Sequence, residues 1–393
     1  MDIEYFFRKV NADYDAFLRS LTDRFPLYAQ GKIKKYGRLQ AIALNLLLRI
    51  VVLFIKLFCF KNPPKYIFQG LRHVNLIKVL PPLDVMVIGG VNEFIYCRKM
   101  GYRFHWAGYL GRCFELFYFS KKTAALIDAV LFIRKYFRTH LVGNKYLFLW
   151  EDSQPIGLTL SMALVDVVGV NVVCIAHGYD YEFSNKRVYI DGLNSSFNLV
   201  YDKAQVILYE KHFSKSPTFE LGLPYEVKPV KTIKPKVILV EHTGIAHGDE
   251  YIISMYHLIK IYQILKSSGY EVSFRARPGS NIAYLKSMFT DVYDGDKLDL
   301  FAEGRMVFVG FSSTLLFEAK SHGNIVIGLD TSELFDQRNF DVDEIIYQNQ
   351  YNELPTLVSR LICMKLNCQI PNVDSLSMRF FKCIESIDRY NTR

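Results

Sequence analysis

Between Asp23 and Asp84 this sequence has no acidic residue, although 11 of its lysines and arginines fall there. A stretch of one sign cannot neutralise itself by local ion pairs, so it points outward, to an anionic partner. The seven cysteines form neither a CxxC pair nor a regular ladder. That excludes a zinc ribbon and a disulfide framework and fits a reducing cytosol. No apolar run long enough to span a membrane is free of cations, and no GxGxxG follows the first glycine-ended strand candidate. No carboxylate cluster is read as an obligatory metal site. The opening Met1-Asp-Ile-Glu4 is acidic and leads into no short apolar core, so no signal peptide is expected. Repeats and low-complexity tracts are absent as well.

What is present is a chain of 393 residues and 45.6 kDa, half of it hydrophobic, which can bury a sizeable core and is expected to form two domains. Its net charge of +9 is concentrated at the start. Residues 1–80 carry 14 Lys/Arg against 5 Asp/Glu, and the remainder carries 34 of each. Amphipathic helical pieces over 1–39 end in Lys32, Lys34, Lys35 and Arg38. The run 41–60 follows, with Asn45, Arg49 and Lys56 gathered on one side of a helical wheel. Two cations argue against a simple span. The pattern predicts a helix lying in a membrane interface, with its apolar face in the acyl boundary and its cations at headgroups. The other reading is a buried helix whose polar stripe reaches solvent. Nucleic acid is disfavoured, because aliphatic residues rather than spaced aromatics interleave the basic ones. Asn62-Pro-Pro64 stops the helix.

From Leu83 onward the texture is α/β. Asp84–Gly90, Tyr146–Trp150 and Asn171–Ala176 are predicted strands, with a helix at about 156–168, and Val206–Tyr209 is expected to continue the sheet. The polar, aromatic segment Tyr179–Asn194 is expected to be a loop folding over a site. Val227–Lys236, with two prolines and several lysines, is expected to be a linker. A second α/β set follows, with strands at Val237–Val240 and Glu271–Phe274. Its centre is one βαβ unit over 299–330: strand, Ser312-Ser313-Thr314, helix, His322-Gly323, strand. The expected organisation is a basic helical membrane-associating segment (1–83), a Rossmann-like domain (84–230), a second Rossmann-like domain (231–370) and a helix packing back (371–393).

The residues suggest their own chemistry. Free N–H groups in the first turn of the helix after Ser313 can hold an anion, with Ser312 or Ser313 as cap and Glu318 a turn further on, within reach of a ribose diol. Arg275 and Arg277, beside Pro278 at a strand end, can hold a diphosphate and stabilise charge on a departing nucleotide. His242, Thr243 and Gly244 can line the same phosphate pocket. In the first half, His177 at a strand end, followed by a glycine, can accept a proton from an acceptor hydroxyl. Glu151 and Asp152 are the rival base, and both possibilities stay open.

Two Rossmann-like halves joined by a proline linker resemble the GT-B glycosyltransferase plan, two domains facing a cleft. Over 237–330 the resemblance narrows. Arg275-Ala-Arg277-Pro278, then Asp299-Leu-Phe301, a hydrophobic strand, Ser312-Ser313 and Glu318 resemble the bacterial polysialyltransferases and the CDP-glycerol glycerophosphotransferases of capsule and teichoic acid synthesis. Arg277 stands where those families have His. Ile175-Ala-His177-Gly178 looks like the strand-end His-Gly that the phosphotransferases place at the acceptor. The resemblance implies a metal-independent glycosyltransferase using no cofactor, with a nucleotide sugar, CMP- or UDP-linked, as donor substrate. It further implies a lipid-linked or growing surface-polysaccharide acceptor, of capsule or lipopolysaccharide type. The place of work would be the cytoplasmic, inner face of the cell membrane, on an anionic surface. Transfer of a polyol phosphate and a non-catalytic scaffold of the same fold are the alternatives.

Overall fold

A computed structural model describes residues 37–58, 63–120, 122–138, 145–152, 155–176, 178, 181–182, 188–189, 194–212, 216–228, 230, 232–242, 248–311, 313–331, 342–365 and 374–392. The basic run Lys32, Lys34 and Lys35, and most of the expected loop over 179–194, lie outside these residues. The chain divides into two compact units: Met1–Asp180, Ile190–Tyr225 and Leu376–Arg393 form the first, and Tyr181–Tyr189 with Glu226–Ser375 the second.

The first unit begins with α1 (Arg38–Phe58), β1 (Tyr66–Gln69), α2 (Val74–Lys78), β2 (Val85–Gly89), α3 (Val91–Met100) and β3 (Arg103–Trp106). It continues with α4 (Gly108–Ser120), α5 (Ala124–Arg138), β4 (Lys145–Leu149), α6 (Pro155–Leu164) and β5 (Val170–Ile175). After β5 come β8 (Phe197–Val200), α7 (Lys203–His212) and β9 (Thr218–Glu220); the short antiparallel pair between β5 and β8 in sequence, β6 (Tyr181–Glu182) and β7 (Val188–Tyr189), is counted with the second unit. Seven parallel strands line up as β3-β2-β1-β4-β5-β8-β9. The order reverses between β1 and β4, the switch point of a doubly wound sheet, where the carboxyl ends of the strands leave a crevice. One face of the sheet packs on α4, α5 and α6, and Ala41, Leu48 and Val52 of α1 join that core.

In the second unit β10 (Ile233–Val240), α8 (Asp249–Ser267), β11 (Glu271–Arg275), α9 (Ile282–Lys286) and β12 (Val292–Tyr293) come first. Then come α10 (Lys297–Ala302), β13 (Arg305–Gly310), α11 (Thr314–Ser321), β14 (Ile325–Asp330), β15 (Glu344–Tyr347) and α12 (Leu354–Lys365). Six parallel strands run β12-β11-β10-β13-β14-β15, with the switch point between β10 and β13. The helix starts are set locally. Asp296 accepts from the Leu298 N–H at 2.7 Å to start α10, Asn281 caps α9, and Ser313 caps α11.

The final helix, α13 (Leu376–Asn391), returns to the first unit, where Leu376, Phe380, Ile384 and Ile387 enter the core on the second face of the sheet. Its Arg379 donates to the carbonyls of Leu221 (2.7 Å), Leu223 (2.8 Å) and Tyr225 (3.0 Å), and Tyr146 donates to Asp388. Gly222, at φ +77°, lies under that guanidinium; a Cβ there would sit 2.5 Å from Nη1.

Two expectations are corrected. Val206–Tyr209 is not a strand but the middle of α7. Asp202 Oδ1 accepts from the Gln205 N–H at 2.8 Å, and the Gln205 side chain accepts from the Tyr201 N–H at 2.9 Å, so a capping pair overrides the β-prone VILY. The stretch Ile233–Lys236, expected as linker, opens β10. Its Pro235 is tolerated because the pairing with β13 shifts between Ile233 and Val237, where no ladder bond needs its missing N–H. The four-residue β1, upstream of the expected boundary at 84, occupies the middle of the first sheet.

Candidate functional site

Parallel pairing of β11, β10 and β13 brings the carboxyl ends Arg275, Val240 and Gly310 together at one edge of the second sheet. The segments leaving those ends carry most of the sequence-predicted donor residues. Glu241, directly after β10, is 2% exposed, and its N–H donates to the Arg275 carbonyl at 3.1 Å. Its carboxylate reaches into the turn after β11. There Oε2 accepts from the Arg277 N–H at 2.6 Å and from the Ser280 hydroxyl at 2.7 Å. The Arg277 guanidinium folds back and donates to the His242 carbonyl at 2.7 Å. The turn Arg277-Pro278-Gly279-Ser280 is therefore held by a buried anion, and the exposed arginine is presented at the rim. The His242 ring lies 5.7 Å from that of Phe311, the first residue after β13, so the segments after β10 and β13 meet across the switch point.

Ser313 caps α11, its hydroxyl accepting from the Leu315 N–H at 3.3 Å, with Thr314 as the first helical residue. No described hydrogen bond joins Ser313 to either arginine. Glu318 is 5% exposed, and Lys297 Nζ meets its Oε1 at 2.6 Å, so this carboxylate has a cation within the protein. Arg275 has different partners from Arg277. It is buried, its guanidinium sits 5.5 Å from the Tyr293 ring centre, and Nη1 donates to the Ala276 carbonyl. Burial pulls its pKa below the usual arginine value, opposed by Tyr293, Asp296, Asp294 and Glu241. Thr243, Gly244 and Ser312 lie outside the described residues.

In the first unit Glu151 and Asp152 follow β4 at its switch point, and both are buried. Asp152 Oδ2 accepts from the Asn194 N–H and from the Ser195 hydroxyl, each at 2.7 Å, which ties down the segment entering β8. Gly157 lets the first turn of α6 close on this point. A Cβ on it would lie 1.9 Å from the Glu151 carbonyl oxygen and 3.0 Å from Gln69 Oε1 at the end of β1. His177 lies outside the described residues.

Sequence reasoning passed over Glu241, the residue between the Val237–Val240 strand and His242. A lone acid after an apolar strand is visible in the sequence; its hold on a turn 36 positions away is not.

Two doubly wound units, each with its switch point at a carboxyl edge, define the α/β architecture of GT-B glycosyltransferases. No protein-family model matches the chain, and no curated protein sequence matches it. Solved structures do. A glycosyltransferase from Rickettsia africae ESF-5 aligns with a TM-score of 0.52 at 11% identity, over 82% of this chain and 97% of that one. Sucrose-phosphate synthase from Thermosynechococcus elongatus aligns at 0.48 and 8% identity, over 84% and 100%. The wall teichoic acid polymerase TagF, soaked with CDPG, aligns at 0.47 and 10% identity, over 91% and 100%. At these identities the likeness is one of fold.

Proposed function

We propose that this chain is a glycosyltransferase whose second unit holds a nucleotide-sugar donor and whose first unit receives the acceptor. The observation that carries this reading is the anchored turn of Arg277. A buried carboxylate fixes the backbone so that a guanidinium stands at the carboxyl edge, beside the switch point and the capped start of α11, where an anion is favoured. Arg277 and the N–H groups at the α11 start would stabilise the nucleoside phosphate as the bond to the sugar breaks, in place of a metal. Glu318, held by Lys297, would receive the ribose. Arg275 supports the same edge from within.

On the acceptor side the base is His177 or Glu151, because the Asp152 carboxylate is committed to Asn194 and Ser195. The donor is a CMP- or UDP-linked sugar and the acceptor a lipid-linked or growing surface polysaccharide of capsule or lipopolysaccharide type. The enzyme works peripherally at the inner face of the cell membrane. The test is product mass after incubation with nucleotide sugars and a glycolipid acceptor, for the parent and for Arg277→Ala and Ser313→Ala. Loss of donor turnover in both variants is expected; unchanged turnover in both contradicts the proposal.

A further inference from the structure

Helix α1 is 21 residues long and apolar enough to cross a bilayer by length and composition. One side of it is packed on the first unit instead. Ala41, Leu48 and Val52 are buried in the first unit's core, and Leu44, Val51 and Ile55 pack against it. The polar residues of the helix are spent on the same contact. Asn45 Oδ1 accepts from the Ala125 N–H at 3.1 Å, satisfying a free donor at the start of α5, and Arg49 pairs with Asp128 at 2.7 Å. The helix is thus fastened lengthwise along α4 and α5, with a row of apolar residues turned outward. Leu39, Ile42, Leu46, Ile50 and Leu53, spaced three or four apart, are between 46% and 81% exposed. A helix on the surface of a water-soluble domain carries polar residues on its outward face; this one carries leucine and isoleucine.

The charge around the row identifies what covers it. Helices α1, α4 and α5 together hold seven Lys/Arg and only two carboxylates, Glu115 and Asp128. Each carboxylate is already met by an arginine, Arg112 at 2.8 Å and Arg49 at 2.7 Å, and Arg134 is held by Asp166 at 2.5 Å, which leaves a surplus of four cations, Arg38 and Arg138 among them. Exposed Leu131 and Arg138 of α5 are three and ten residues beyond Asp128, on the stripe that Asp128 turns toward α1, and exposed Arg38 stands at the other end of the row. A second copy of the chain laid against this face would bring cation against cation. An anionic bilayer offers both an acyl region for the row and phosphates for the arginines.

We infer that the outward face of α1, with Leu131 and Arg138 beside it, lies flat on an anionic lipid surface, without crossing it. The inference stands independently of the glycosyl-transfer reading. The experiment is flotation of the full chain with vesicles of phosphatidylcholine and phosphatidylglycerol, against phosphatidylcholine alone. The full chain should float with the mixed vesicles and much less with the neutral ones. Leu46→Asp/Leu53→Asp should lose at least about tenfold in partitioning with an unchanged melting temperature, since both side chains are already exposed. Arg138→Glu should lose about fivefold on the anionic vesicles only. The inference is overturned if the parent ignores the mixed vesicles or if the double variant still floats. It is equally overturned if the parent forms a dimer that Leu46→Asp/Leu53→Asp dissolves, because the row is then a contact between copies.

Discussion

Asp152 in the first unit and Glu241 in the second are buried carboxylates that sit just past a strand at the switch point of their sheets. Each accepts one backbone N–H and one serine hydroxyl: Asn194 and Ser195 for Asp152, Arg277 and Ser280 for Glu241. The device is the same, but what it ties down differs. In the first unit the tethered segment brings an amide and a hydroxyl and no charge. In the second it brings a guanidinium to the rim. Under the proposed function the uncharged segment would meet a hydroxyl-bearing acceptor and the cationic one the phosphates.

The comparison breaks most readily by removing the anchors. Glu241→Ala frees a half-buried N–H and a hydroxyl at about 1–2 kcal/mol, and Asp152→Ala leaves a buried N–H and a hydroxyl without an acceptor at about 3 kcal/mol. The loss at Asp152 corresponds to a melting temperature lower by roughly 6–12 °C for a unit of this size, read by calorimetry. Glu241→Ala should also lose at least about tenfold in nucleotide affinity, because the Arg277 turn is released; Asp152→Ala should not. Equal affinity losses in the two would erase the distinction between the edges.

Conservative replacements sharpen it. Glu241→Gln and Asp152→Asn each keep an acceptor oxygen and should recover most of the stability. Asp152→Asn should leave turnover nearly unchanged, whereas a catalytic base at this position would abolish it. Arg277→Ala loses one half-buried hydrogen bond to His242, so the fold should melt within a few degrees of the parent while nucleotide affinity falls about tenfold to a hundredfold. The smallest effect lies where the chain leaves the first unit. Gly222→Ala places a Cβ at positive φ against Arg379 and should cost about 1–2 kcal/mol, seen as a few degrees in the melt of a domain this large.

Much of the fold was legible in the sequence, and the gaps have physical reasons. The strands Val85–Gly89, Lys145–Leu149, Val170–Ile175 and Arg305–Gly310 announce themselves as short apolar runs, because parallel strands are covered on both faces. Four-residue β1 does not; YIFQ is too short to show a period, and its place in the middle of the sheet is a matter of topology. Val206–Tyr209 misled because β-branched content was weighed without the Asp202–Gln205 capping pair. At the site, the arginines, the Ser313 cap and Glu318 could be named from spacing, since each lies within a few residues of its strand. Long-range ties could not be. The inward turn of Arg275 onto Tyr293 and the hold of Glu241 on Arg277 depend on which strands become neighbours. The apolar run of α1 was visible too, but its cations were expected at headgroups, and the structure spends Arg49 on Asp128 instead.

The account rests most directly on nucleotide phosphates being gripped at the edge that carries Arg277. A thermal-shift titration of the full chain with CMP, CDP, UDP and GDP reads this, since a ligand that binds only the folded state raises its melting point. The account predicts that at least one nucleotide raises it in a concentration-dependent way, and that Arg277→Ala abolishes the rise while its unliganded melting temperature stays within a few degrees of the parent's. No shift with any of the four, or a shift that Arg277→Ala leaves intact, would contradict it.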